Sequence, residues 1–131
     1  PSSDPYWPIY DLAAVNSSNT TINGGKFGSI YLWAKAVMTI NNAEVDVIDT
    51  LTTTGHLEIA SGTTVNRINM NGTNAYKPDV TIKAGATVKT LDLTKITNLT
   101  DIVIEDGATV ETVLTAQGEM TLEAWKIANG K

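Results

Sequence analysis

Two copies of one pattern decide the fold: Val80-Thr-Ile-Lys-Ala-Gly-Ala-Thr-Val-Lys-Thr-Leu-Asp-Leu93 and Ile102-Val-Ile-Glu-Asp-Gly-Ala-Thr-Val-Glu-Thr-Val-Leu-Thr115. The tetrapeptide Gly-Ala-Thr-Val recurs after 22 residues, and apolar residues occupy matching offsets on both sides of it. An internal repeat of this length predicts an architecture of stacked units that share one core.

The same pattern continues in looser form on both sides of these two copies. Its apolar positions form columns, with spacings between copies of 18, 20, 23 and 22 residues along the first column. The first column is Phe27, Val45, Val65, Val88 and Val110, the second is Ile30, Ile48, Ile68, Leu91 and Val113, and the third is Ile22, Ile40, Ile59, Ile82 and Ile104. A sixth, partial copy is assigned to Met120-Thr-Leu122, followed by Ile127.

Within each copy, apolar residues alternate with polar ones, which indicates short strands with one face inward. A turn with Gly62, Gly85 or Gly107 separates the strands, and glycine permits the positive φ that a sharp corner requires. The three-residue step from Val65 to Ile68 predicts a second bend. The sequence therefore predicts an all-β fold, a single-stranded parallel β-helix (β-solenoid) of about six short coils.

The two ends of the chain are expected to differ from the coils. Residues 1–18 hold three of the four prolines, and we interpret them as an N-terminal cap over the stack or as a linker. Residues 19–131 are assigned to the coils, with a capping strand at the C-terminus and Trp125 as a plug. Because the chain begins with Pro rather than Met, we expect a mature form or an excised segment.

Outward-facing charges support this register. Lys83 is predicted to lie over Glu105, and Lys89 over Glu111, so both pairs place opposite charges on neighbouring coils. Cross-strand pairs of this kind contribute roughly 0.2–1 kcal/mol each.

Composition excludes several classes of function. Threonine is frequent (20 residues), and charged residues are sparse at 18% with a net charge of −5. One arginine and eight scattered lysines do not suit a nucleic-acid-binding surface. There is no cysteine for a disulfide or a thiolate metal site, and no apolar run reaches the 18 or so residues of a membrane span.

The coil Thr81-Ile-Lys-Ala-Gly-Ala-Thr-Val-Lys-Thr-Leu-Asp-Leu93 resembles the repeats of parallel β-helix proteins of bacterial surfaces. Autotransporter passengers, adhesins and polysaccharide-processing β-helices carry similar turns, and the resemblance covers residues 20–127. It implies right-handed coiling and an extracellular or cell-surface location. It does not imply an activity, because only residue classes match.

A leucine-rich-repeat-like binding domain is the alternative fold. Val88-x-x-Leu91-x-Leu93 matches the first half of that motif. The asparagine expected three residues after the last apolar position is missing from every copy, and no convex-side helix is indicated.

Residues that could carry catalysis are few. His56 is the only histidine, and its place just before a predicted strand indicates a surface residue. Asp46, Asp49 and Asp92 are predicted to face outward, with Asn69 between the last two, and two carboxylates are the minimum for glycoside hydrolysis. Asp46 and Asp49 lie on opposite sides of the predicted bend and need not converge. We therefore predict no catalytic residue, no cofactor and no structural metal.

The candidate ligand-binding residues are Tyr31, Trp33 and Asp49. Alternation with inward Ile30 and Leu32 sends both rings outward, where an aromatic pair can stack on a sugar. The competing interpretation is that these rings are covered by the N-terminal segment Tyr6-Trp7-Pro8.

Three functional hypotheses follow. The first is a non-catalytic structural or adhesive module of a secreted or cell-surface bacterial protein, with glycans or other cell-surface proteins as partners. The second is a carbohydrate-binding module, and the third is a partial polysaccharide lyase or hydrolase. End-to-end self-association of the coils is a further expectation; nucleic acid and membrane spans are not expected.

Overall fold

The computed structural model describes residues 10–14, 17–50, 55–72, 79–96 and 102–131. These residues form twelve strands and one helix. In chain order they are β1 (Tyr10–Ala14), β2 (Asn19–Asn23), β3 (Lys26–Leu32), β4 (Val37–Asn41), β5 (Glu44–Asp49), β6 (His56–Ile59), β7 (Thr64–Gly72), β8 (Asp79–Ile82), β9 (Thr87–Ile96), β10 (Ile102–Ile104), β11 (Thr109–Thr115), β12 (Gly118–Met120) and α1 (Leu122–Ala128).

The strands form two sheets that run along the stack. Sheet A has the order β1-β3-β5-β7-β9-β11-β12, and sheet B has the order β10-β8-β6-β4-β2. Every described pairing is parallel except that of β11 with β12. The chain thus alternates between the sheets and returns one layer higher, which makes a β-solenoid of about four turns. This confirms the predicted fold class.

The predicted columns are the columns of the core. Val65 pairs with Val88 and Val88 with Val110, while Ile68 pairs with Leu91 and Leu91 with Val113. The corresponding positions of sheet B line up in the same way. All nine residues predicted to form the core are at most 9% exposed: Ile59, Val65, Ile68, Ile82, Val88, Leu91, Ile104, Val110 and Val113.

The glycine turns also stack on one another. Gly62, Gly85 and Gly107 have φ between +83° and +91°, as predicted for a sharp corner. The amide of Gly62 donates to the carbonyl of Gly85 (3.0 Å), and the amide of Gly85 donates to the carbonyl of Gly107 (3.1 Å). The turns therefore continue the hydrogen-bond ladder between the sheets.

The predicted second bend is supported by the burial and pairing of β7. Val65 and Ile68 are both fully buried although they are three residues apart, and Asn66 between them is exposed and has no partner in the register of β7 with β5 and β9.

One predicted feature is corrected. The expected count of about six coils exceeds the about four turns of the structure, and the assigned sixth copy is not a coil. Its first residue, Met120, ends β12, which turns back antiparallel on β11, and the next residues form α1.

Local chemistry explains this change at the C-terminus. Gly118 has a φ of +118°, which suits the reversal into β12. The Thr121 hydroxyl accepts a hydrogen bond from the amide of Ala124 (3.1 Å) and so caps α1, instead of joining the threonine columns. Trp125 is buried in the core, as expected of a plug, whereas Ile127 is 76% exposed.

The N-terminal expectation lies mostly outside the described residues, which begin at Tyr10. Within the range 1–18, β1 is the first strand of sheet A and pairs with β3.

Of the two predicted charge pairs, Lys83 and Glu105 approach to 3.5 Å as predicted. Lys89 and Glu111 directly follow the paired Val88 and Val110, but they are not among the ion pairs of the described residues.

Candidate functional site

The two predicted aromatic residues lie at the end of β3. Ile30 and Leu32 are buried, Tyr31 is half-buried, and Trp33, one residue beyond the strand, is 43% exposed. The Trp33 amide donates to the carbonyl of Ala14 (2.9 Å), which fixes the backbone at this point against β1. Cover by Tyr6, Trp7 and Pro8 concerns residues outside the described part of the chain.

The register of sheet A brings Tyr31 next to the predicted carboxylate. Tyr31 pairs with Asp49, Asp49 with Asn69, and Asn69 with Asp92. Neighbouring strands are about 4.8 Å apart, so these four residues form one outward column. The column confirms the predicted position of Asn69 between the two aspartates.

Arg67, which the sequence did not single out, joins this column from the side. Its Nε donates to Oδ1 of Asn69 (2.7 Å), and its Nη2 donates to Oδ2 of Asp92 in an ion pair. The planar guanidinium is therefore held between two neighbouring strands. The one signal in the sequence was that Arg67 is the only arginine of the chain.

An irregularity in β9 completes the arrangement. Asn69 pairs with Asp92, but Asn71 pairs with Lys95, so β9 has one extra residue at this point. Oδ1 of Asp92 accepts hydrogen bonds from the Thr94 amide (2.9 Å) and hydroxyl (2.6 Å), which hold the bulge. A bulge redirects the side chains that follow it. Here it places Lys95 beside Asn71.

The same contacts determine the ionisation of Asp92. Burial by itself raises the pKa of its carboxyl group, but the hydrogen bonds from Thr94 and the Arg67 guanidinium outweigh that effect. The pKa of Asp92 therefore lies below its ordinary value. Asp92 is a fixed anion at neutral pH.

Asp49 is held from the adjacent coil. Its Oδ1 accepts a hydrogen bond from Nδ2 of Asn71 (3.0 Å). The backbone N–H of Asn71 donates to the hydroxyl of Thr50 (3.0 Å), and the Thr50 side chain is fully buried. The position of Asp49 is thus tied to the core through Asn71 and Thr50.

Together these side chains surround a depression of about 280 Å³, which we call the polar cleft; its lining residues are Asp49, Arg67, Asn69, Met70, Asp92 and Lys95. Asp49, a predicted ligand residue, thus lies in the cleft, and Tyr31 lies next to Asp49 in the same column. Trp33 does not line the cleft.

The remaining candidates stand apart from the cleft. Asp46 accepts a hydrogen bond from Nδ2 of Asn66 (3.0 Å) and lies outside the polar cleft, so it does not converge with Asp49. His56 is half-buried in β6, and its backbone pairs with Val37 and Asp79 on the neighbouring strands.

Among the described residues, no three or more His, Cys, Asp or Glu side chains form a group suited to a metal ion. The described part of the chain also has no helix long and apolar enough to cross a membrane.

Comparison of the chain with family models, with curated proteins and with solved structures gives no match. The resemblance to parallel β-helix proteins is therefore supported by the architecture alone, at the level of the β-solenoid.

Proposed function

We propose that this chain is a non-catalytic adhesive module of a secreted or cell-surface bacterial protein. The observation that supports this proposal is the column of outward side chains on sheet A, held on a continuous apolar core. Parallel stacking fixes the distance between successive outward residues, so the surface is ordered before any ligand arrives. Preorganisation of this kind lowers the entropic cost of binding.

Carbohydrate is the ligand that the surface suits best. Trp33 presents an exposed apolar ring, Tyr31 adds a second ring with a hydroxyl group, and Asp49 lies beside Tyr31 with acceptor oxygens. Sugars offer apolar C–H faces that stack on such rings and hydroxyl groups that donate to carboxylates. The same three residues are those that the sequence predicted as ligand contacts.

The chemistry of the aspartates argues against extending the proposal to glycoside hydrolysis. A general acid in that reaction needs a raised pKa, whereas the pKa of Asp92 is lowered. Asp49 and Asp92 are also two coils apart, which separates their backbones by about 10 Å. That separation exceeds the roughly 5–5.5 Å between the carboxyl groups of retaining enzymes but is close to the roughly 6.5–9.5 Å of inverting enzymes, so the lowered pKa of Asp92 carries the argument.

The test is a glycan-array screen of the purified protein, followed by titration of the best glycan. We expect Trp33→Ala to reduce affinity at least tenfold. Val103→Ala is the matched control, because Val103 is similarly exposed (47%) but lies on sheet B. Full binding by Trp33→Ala, or an equal loss with Val103→Ala, would contradict the role of the aromatic residues.

The proposed location has its own test. Antibodies raised against the purified protein should label intact cells of the source bacterium or detect the protein in the culture medium. Signal found only after lysis would exclude the secreted or cell-surface assignment.

A further inference from the structure

The hydrogen-bonding groups of the polar cleft are unequally used. Both oxygens of Asp92 and Oδ1 of Asn69 already accept hydrogen bonds from Arg67 or Thr94. By contrast, none of the described residues accepts a hydrogen bond from Nη1 of Arg67, Nδ2 of Asn69 or Nζ of Lys95. The cleft therefore offers three unused donors, two of them on cationic side chains, and complements a ligand rich in acceptors.

One acceptor in the cleft is also unused. Asp49 accepts a hydrogen bond from Asn71 at Oδ1, while Oδ2 receives none from the described residues. The negative charge of Asp92 is compensated by Arg67, whereas Lys95 forms no ion pair with any described residue. A complementary ligand thus carries an anionic group, which supplies a counter-charge for Lys95 and an acceptor for Nη1 of Arg67, together with a hydroxyl donor for Asp49.

These two requirements select a class of ligand. A simple anion would leave Oδ2 of Asp49 without a hydrogen-bond donor. A neutral sugar would satisfy Asp49 but would leave the ammonium group of Lys95 without a counter-charge. A sugar acid has both a carboxylate and adjacent hydroxyl groups, and a carboxylate matches the planar guanidinium of arginine.

We propose that the polar cleft binds the carboxylate of an acidic saccharide, with Arg67, Asn69 and Lys95 as donors and Asp49 as acceptor for a hydroxyl group. This inference rests on the proposed carbohydrate-binding function and specifies its ligand class. Tyr31, adjacent to Asp49 in the column, would contact the neighbouring sugar unit.

The test is isothermal titration of the intact protein with trigalacturonate and with its fully methyl-esterified form, which has the same rings without the charges. We expect the acid to bind at least tenfold more tightly than the ester, and its affinity to fall as salt is raised. Equal affinities for the two forms would overturn the proposal, as would binding of neither.

Two variants locate the site. Lys95→Gln removes an ammonium group that forms no ion pair with the described residues. Its position is exposed, so folding should be unaffected, and we expect at least a fivefold loss of affinity for the acid with the ester unchanged. Lys89→Gln is the control, because Lys89 is an exposed lysine of the same strand outside the polar cleft. Equal effects of the two substitutions would refute the assignment.

Two further ligands separate this inference from the broader proposal. Short poly-glutamate offers carboxylates without sugar rings, and binding as tight as that of trigalacturonate would overturn the saccharide class. A neutral oligosaccharide whose binding requires Trp33 but is insensitive to Lys95→Gln would retain the carbohydrate-binding function and refute the acidic specificity.

Discussion

Truncation of Leu91 to alanine tests the stacked core at its centre. Leu91 is fully buried and lies between Ile68 on β7 and Val113 on β11, with both neighbours also fully buried. The substitution removes three carbon atoms, and loss of their transfer free energy costs about 2.4 kcal/mol at about 0.8 kcal/mol per methylene. Hydrogen-bonded strands on both sides limit collapse into the cavity, so the total should be about 3–4 kcal/mol, within the range known for buried leucines.

The free energy of unfolding would be measured by urea denaturation, with the circular dichroism signal of the strands as the monitor of unfolding. Lys89→Ala is the matched control on β9, because Lys89 is exposed and its replacement should change the free energy by no more than about 0.5 kcal/mol. A loss below about 1 kcal/mol for Leu91→Ala, or one equal to that of the control, would show that the column is not a packed core.

Three other predictions concern the backbone, the ion pair and the ends of the stack. A Cβ at Gly55 would lie 1.7 Å from the carbonyl oxygen of Ala36, so Gly55→Ala should lower the thermal midpoint strongly. In Gly118→Ala the added Cβ meets no heavy atom within 4 Å, and only the strain of alanine at a φ of +118° remains. A midpoint for Gly55→Ala no lower than that for Gly118→Ala would contradict the close approach at Gly55. Because the folded-state pKa of Asp92 is lowered, its contribution to stability is present above the unfolded pKa of about 3.8 and is lost as pH falls through the folded value. Asp92→Asn should therefore flatten the decline of the unfolding free energy below about pH 4, and unchanged acid profiles would count against the contacts of Asp92 with Thr94 and Arg67. Amide exchange should be slowest in β7 and β9, in the interior of sheet A, and faster in β12 and α1 at its end, whereas uniform protection would be inconsistent with a stack of coils that contact only their neighbours.

The sequence predicted the core well because burial repeats with the coil. Each inward position is apolar in coil after coil, so the alignment of Val65, Val88 and Val110 already contains the register of sheet A. The same alignment placed Asp49, Asn69 and Asp92 in one outward column, although nothing in the pattern states what these side chains contact.

The sixth copy at the C-terminus was assigned incorrectly for a related reason. The apolar residues Met120, Leu122 and Ile127 have spacings that fit a further coil as well as a helix. The Thr121 cap decides between the two, because its hydroxyl starts α1 before another strand can pair in parallel. A capping threonine is hard to recognise in a chain where threonine is so frequent.

Lys95 could not be assigned to the polar cleft from the repeat, because its place there depends on a departure from the repeat. With regular pairing, β9 would continue to alternate after Asp92, and Lys95 would not pair with Asn71. The bulge held by Asp92 and Thr94 shifts the register by one residue. An alignment of the sequence copies at a constant spacing does not reveal this shift of one residue.

The core and the polar cleft share the same strands, and this links stability to binding. On β9 the inward Leu91 is followed directly by the outward Asp92, and on β7 the inward Ile68 lies between Arg67 and Asn69. The positions of the outward groups are therefore set by how the inward groups pack. Loss of the Leu91 side chain should loosen the Arg67–Asp92 contact as well as the core, whereas Lys95→Gln should alter only the cleft. Because the first substitution acts through the core and the second through charge, only the effect of the second on binding should diminish as salt is raised.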